Sequence, residues 1–229
     1  MSTASGSEPT FGEGPLARAS ALVYTLLVVE LLLLIAGAPG LVVLVLLDRD
    51  ASNIPLAAAC AIPLGPALSA ALYALRHRRR DLIDLRPATA FWRGYRLNVV
   101  GVLQVWIPWL AWLAIVAVSL THFTAAAVPG WWAVLLVAIA AVASLAMMNA
   151  LVITSLFAFR ALDVVRLAVA FLTRTPGVTL GNACLLVLAG AITALTSEAV
   201  LALLGSLLAG ALLLICRPLI AEVRRDFTA

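Results

Sequence analysis

Between residues 62 and 98 the chain turns from purely apolar to strongly basic and back again. IPLGPALSAALYALR runs into Arg76, His77, Arg78, Arg79 and Arg80, and the stretch closes on FWRGYRLN. Seven arginines fall in the 21 positions from 76 to 96. A basic connector between two apolar runs reads as a loop between membrane-crossing helices. Because basic loops stay on the cytoplasmic side, it also fixes the sidedness of every other segment.

The apolar runs carry the same argument. The chain is 64% hydrophobic with a mean hydropathy of +1.12, whereas soluble domains are about 45–50% apolar. Several uncharged runs exceed the roughly 18–20 residues that cross a bilayer as a helix. The predicted fold is all-α: a polytopic transmembrane helical bundle of six spans with two short interfacial amphipathic helices and no soluble domain. The spans fall at about 21–47, 54–75, 97–120, 131–157, 178–195 and 199–216. Residues 178–215 are divided at Thr196-Ser197-Glu198 because one helix of that length would measure about 57 Å, against a core of about 30 Å. Residues 1–20, with no apolar period at their start, are expected to form a disordered cytoplasmic tail, and 217–229 a basic cytoplasmic tail.

Gly37, Pro39 and Gly40 suggest a kink or break in the first span. Ala36-Gly37-Ala38 resembles a leader-cleavage site, but Pro39 follows it and the apolar run resumes at Leu41, which favours a retained span.

All 15 basic residues are arginine. With the N-terminus inside, 14 of them lie on the cytoplasmic side and only Arg49 outside. Six spans with both termini in the cytoplasm satisfy the positive-inside rule. The arginines flank spans, so anionic lipid headgroups, not nucleic acid, are their expected partners.

Two connectors are amphipathic. Pro87 suits a first helical turn, after which Ala88, Phe91, Trp92 and Tyr95 share a face, as in a helix lying at the interface. Residues 160–175 form the second, and Thr175-Pro176 suits a cap and first turn of the next helix. ALYALR (71–76) and SLFAFR (155–160) end successive hairpins in the same sense. They suggest a parallel repeat about an axis normal to the membrane.

The stretch from Ile62 to Asn98 resembles the YesL family, bacterial integral membrane proteins catalogued as a domain of unknown function. The residues that carry the likeness are Pro63, Gly65, Pro66, Ala67, Ala71, Leu72, Tyr73, Phe91 and Asn98, and SLFAFR with its Thr-Pro looks like the family's second half. Leu64 stands where the family often has a threonine. The resemblance implies several membrane helices and association with carbohydrate uptake and breakdown. It implies no catalytic residues.

Glu30 is the one ionisable residue deep inside a span. A carboxylate there costs about 3 kcal/mol or less on insertion scales, which the 18 Leu, Val and Ile residues of 21–47 offset. It reads either as a proton- or substrate-linked group or as a protonated acid bonded to a neighbouring helix. Gly65-Pro66 could open a helix and expose carbonyls to a solute, or form a packing kink with a small-residue contact.

Trp106, Trp109 and Trp112 could stack on sugar rings, but Trp109, Trp112, Trp131 and Trp132 fit an aromatic belt at the outer interface. Asn98, Gln104, Asn149 and Asn182 are expected to link helices. Arg76, Arg78, Arg79, Arg80, Arg93 and Arg96 are candidates for lipid contact or for docking an acidic cytoplasmic partner. Cys60, Cys184 and Cys216 read as small buried hydrophobes. His77 and His122 fall in loops on opposite sides, and the sequence carries no zinc or Walker motif, so no enzyme, metal or cofactor is predicted.

Two functions follow. One is a non-enzymatic accessory to carbohydrate uptake or utilisation, its partners sugar-importer subunits or further copies of itself. The alternative is a small autonomous solute transporter whose broken-helix site near the bilayer midplane uses Glu30, Gly65 and Pro66.

Overall fold

The computed structural model describes residues 15–48, 50–77, 86–123 and 129–227. Every regular element among them is helical. In order they are α1 (Pro15–Leu46), a short 3-10 turn (Ala51–Asn53), α2 (Ile54–Cys60), α3 (Leu64–Arg76), α4 (Pro87–Thr121), α5 (Trp131–Leu156), α6 (Ala161–Arg174), α7 (Pro176–Leu195), α8 (Glu198–Leu203), α9 (Gly205–Ile215) and α10 (Arg217–Phe227). This is the all-α polytopic bundle expected. The apolar stretches of α1, α4, α5 and α7 are each long enough to cross a membrane, and two bent helix pairs raise the number to as many as six.

The first helix departs from expectation at both ends of the argument. It starts at Pro15, so residues 15–20 are helical and not part of a disordered tail, and residues 1–14 lie outside the described part. It also runs unbroken through Gly37, Pro39 and Gly40. Those glycines serve close approach. A Cβ at Gly40 would lie 1.8 Å from the carbonyl oxygen of Cys60, and one at Gly37 would lie 2.9 Å from Leu64 Cδ2. The chain break is on the other side of that contact, where α2 and α3 meet at a 41° bend. Pro63 and Pro66 have no N–H to offer the carbonyls one turn back, so the helix cannot continue straight through.

α3 is the centre of the bundle, packed on α1, α4, α5 and α9. Its buried residues are mostly small: Gly65, Ala67, Ser69, Ala70, Ala71 and Ala74. In lipid the tails are as apolar as the side chains, so helices associate by close backbone packing, and small residues permit it.

α4 corrects a second expectation. Its amphipathic start is no separate interfacial helix but the first turns of a continuous span. Phe91 is fully buried, and a Cβ at Gly94 would lie 2.7 Å from Tyr73 Cβ. That approach seats α4 against the end of α3 from its first turns onward. The other connector is a separate helix, α6, which buries Val164, Ala168 and Phe171. The two halves of the suggested repeat therefore differ, fused in one and jointed in the other. At the joint Thr175 does not cap α7. Its hydroxyl donates back to the Phe171 carbonyl at 2.8 Å, closing α6, while Pro176 opens α7 as expected.

α10 bends 54° from α9 and buries Leu219, Ile220 and Val223. It carries Arg217, Glu222, Arg224, Arg225 and Asp226 within 11 residues, a charge density that suits a helix at the membrane interface. Its apolar side chains, like those of α6, gain about 1.5–3 kcal/mol each when fully withdrawn from water.

Candidate functional site

Glu30 lies on α1 facing the junction of α8 and α9. The first N–H groups of a helix have no partner within it, and Leu204, at the cap position of α9, supplies no side-chain bond. Glu30 supplies it from another helix: the backbone N–H of Ser206 donates to Glu30 Oε2 at 2.6 Å. Gly205 makes the approach feasible, since a Cβ on it would lie 3.1 Å from Leu33 Cδ2 and 3.6 Å from Glu30 Oε1. Oε1 itself is buried without a partner. Gly205, Ser206 and Ala209 are all buried, a small-residue stripe visible in the sequence, although nothing in it marked Ser206 as the donor.

Gly65 and Pro66 sit in the first turn of α3, both buried. A Cβ on Gly65 would lie 2.6 Å from Trp106 Cγ, so the indole ring fills the space beside the break. Trp106 also donates its N–H to the carbonyl of Ala61 at 3.0 Å. The break is thus sealed from within the bundle by α4, and it is held by partners different from those of Glu30.

Polar side chains link the remaining helices. Asn182 donates to Asn149 Oδ1 at 3.0 Å, Asn149 donates to the Ala168 carbonyl at 3.3 Å, and Cys216 Sγ lies 3.8 Å from the Asn182 amide. Asn98 donates to the Ser155 carbonyl at 3.0 Å, and Ser155 Oγ donates to Ser69 Oγ at 2.9 Å. Three of the four expected amides are interhelical; Gln104 is exposed. The serine pair was not anticipated, because a Ser in an Ala-rich helix gives no sign of its facing partner.

The tryptophans divide differently from expectation. Trp106 and Trp109 turn into the bundle, their ring centroids 4.9 Å apart. Trp131 and Trp132 are exposed and stacked at 4.5 Å, as a belt at the start of α5 would be. Of the cysteines only Cys216 is buried; Cys60 is half-buried and Cys184 exposed. His77, stacked on Tyr73 at 4.1 Å, and His122 end the antiparallel helices α3 and α4 and so lie at opposite ends of the bundle.

Arg76, Arg93 and Arg96 are exposed at one end of the bundle, together with Arg160, Arg166, Arg174, Arg217, Arg224 and Arg225. Arg78, Arg79 and Arg80 lie outside the described residues. Arg76, His77 and Arg224 line a cleft of about 240 Å³ with Leu156, Phe157 and Ile220. The ends of α3, α5 and α10 therefore meet there. No protein-family model, curated protein or solved structure matches the chain.

Proposed function

We propose that this chain is a non-enzymatic membrane protein that serves carbohydrate uptake or utilisation as an accessory, docking an acidic partner or anionic headgroups through its arginine-rich end. The observation that carries the reading is the build of that end. The first turns of α4 and the helices α6 and α10 bury their apolar faces in the bundle and leave arginines outward. A surface held on packed helices presents charge at fixed spacing, which a tail cannot do. The positive-inside rule favours the cytoplasm for that end, and the resemblance of residues 62–98 to the YesL family supplies the carbohydrate context.

The test is affinity purification in mild detergent from cells grown on mixed polysaccharide, with mass spectrometry of what accompanies the chain. Sugar-importer subunits in near-equal amount are expected, and replacing Arg93, Arg96 and Arg166 by alanine should release them. Recovery of the chain alone, or partners indifferent to those arginines, overturns docking.

Glu30 favours a second reading, that of an autonomous transporter, because its carboxylate meets a helix start inside the bundle as such groups do at discontinuous helices. Proteoliposomes in which Glu30→Gln abolishes proton-coupled solute flux would support it; the absence of any such flux for the native chain would remove it.

A further inference from the structure

The half of the bundle away from the arginines is loosely packed. α5 has no buried residue before Met147 and α7 none after Asn182. Between these half-helices and α1, α3, α4, α8 and α9 lies a cavity of about 580 Å³. That is within the range of about 300–1,000 Å³ typical of ligand sites. Its wall is almost entirely hydrocarbon, with Leu68, Leu113, Met148, Leu185 and Leu208 among the lining side chains. Water is a poor filler, because a buried water needs two to four polar partners.

Two polar atoms without partners belong to this region. Trp109 lines the cavity, and its indole N–H is buried with no acceptor. Gly205 also lines it and adjoins Glu30 Oε1, which has no donor. The cavity does not end in hydrocarbon. It shares Leu44 and Glu198 with a second cavity of about 580 Å³ whose wall adds Asp48, Asp50, Asn53 and Ser197. An apolar chamber thus adjoins a vestibule of mixed lining, apolar side chains beside carboxylates and an amide, where α1 and α7 end in loops. Asp50 is held below the usual carboxylate range by the hydroxyl and backbone N–H of Ser52, so it is ionised at neutral pH.

We propose that these adjoining cavities bind one membrane lipid, its hydrocarbon chain in the apolar chamber and its polar head, bearing hydroxyl or ammonium donors, in the vestibule. The occupant follows from the linings. A free sugar offers nothing to the hydrocarbon wall, and a bare alkane offers nothing to Asp48, Asp50 and Asn53. A lipid matches both, and in a bilayer it is the most concentrated molecule that does. The site lies opposite the arginine-rich end and does not depend on the docking reading.

The test uses the full chain in vesicles of phosphatidylethanolamine and phosphatidylglycerol with a trace of phosphatidylethanolamine carrying a diazirine on its acyl chain. After illumination, label is expected on the peptides holding Met147–Met148 and Leu185–Leu186, and native mass spectrometry should show one phospholipid retained per chain. Ala189→Trp and Ala202→Trp, which fill the chamber wall, should lose both signals. Val187→Trp, on the exposed face of α7, should keep them. Equal labelling of Ala189→Trp and Val187→Trp would mean annular lipid only and overturn the proposal. Label on the exposed faces but absent from the four lining residues of the native chain would overturn it too, even if the tryptophan variants failed to fold.

Discussion

Trp106 and Ala61 stand 45 positions apart, and the indole N–H of the first donates to the carbonyl of the second at 3.0 Å. The same carbonyl accepts from Leu64 N at 3.2 Å, so both of its lone pairs are engaged at the break between α2 and α3. One ring on α4 thereby completes the backbone accounting of a neighbouring helix and fills the hollow above Gly65.

Removing only the N–H separates these duties. Trp106→Phe should lower stability by about 0.5–1.5 kcal/mol, the net worth of one hydrogen bond. Trp106→Ala should cost about 3–5 kcal/mol, as large aromatic deletions do. Equilibrium unfolding in mixed micelles measures both, and equal losses for the two would contradict the division.

The glycines should differ sharply. Gly40→Ala drives a methyl against the Cys60 carbonyl, a backbone atom that cannot turn aside, and Gly65→Ala drives one into the Trp106 ring. Both should destabilise by more than 1 kcal/mol, the range of overpacking being roughly 1–3 kcal/mol. Gly190→Ala meets nothing within 4 Å and should be neutral or stabilising by up to about 1 kcal/mol, the helix-propensity gain. Thermal midpoints of the three variants in one detergent give the ranking.

Glu30 offers a graded test. Glu30→Gln keeps an acceptor for the Ser206 N–H and should cost little. Glu30→Leu leaves that N–H, on a residue 3% exposed, without its acceptor and should cost about 1–3 kcal/mol. A leucine variant as stable as the glutamine variant would show that the junction is held by packing alone.

Asn149 and Asn182 should be coupled. A double-mutant cycle with alanine at both positions is expected to return about 0.6 kcal/mol and at most about 1.7, the measured range for interhelical bonds in lipid. Zero coupling would show that the two amides act separately.

The elements were legible where composition changes abruptly. Trp131–Leu156 and Pro176–Leu195 fall within two residues of their expected bounds because arginines or small polar residues flank each run. What escaped was direction and partner. The signs that suggested a broken first helix, Gly37 and Gly40, mark where α1 touches the real break in the next element. A glycine's need for space and a glycine's freedom to bend look alike in one dimension. Trp109 was assigned to the surface because tryptophan favours interfaces, yet its neighbour Trp106 draws the pair inward. For Glu30 the sequence marks no partner, because its donor is a backbone N–H, which every residue but proline carries.

That donor has a further consequence, in time and not in space. Glu30 is synthesised 176 residues before Ser206. At about 5–20 residues per second the acid waits on the order of 10–35 seconds for its donor. Throughout that interval the nascent first helix holds a carboxyl oxygen whose partner, at the start of α9, has not yet been made. The C-terminal segment is therefore the keystone of assembly.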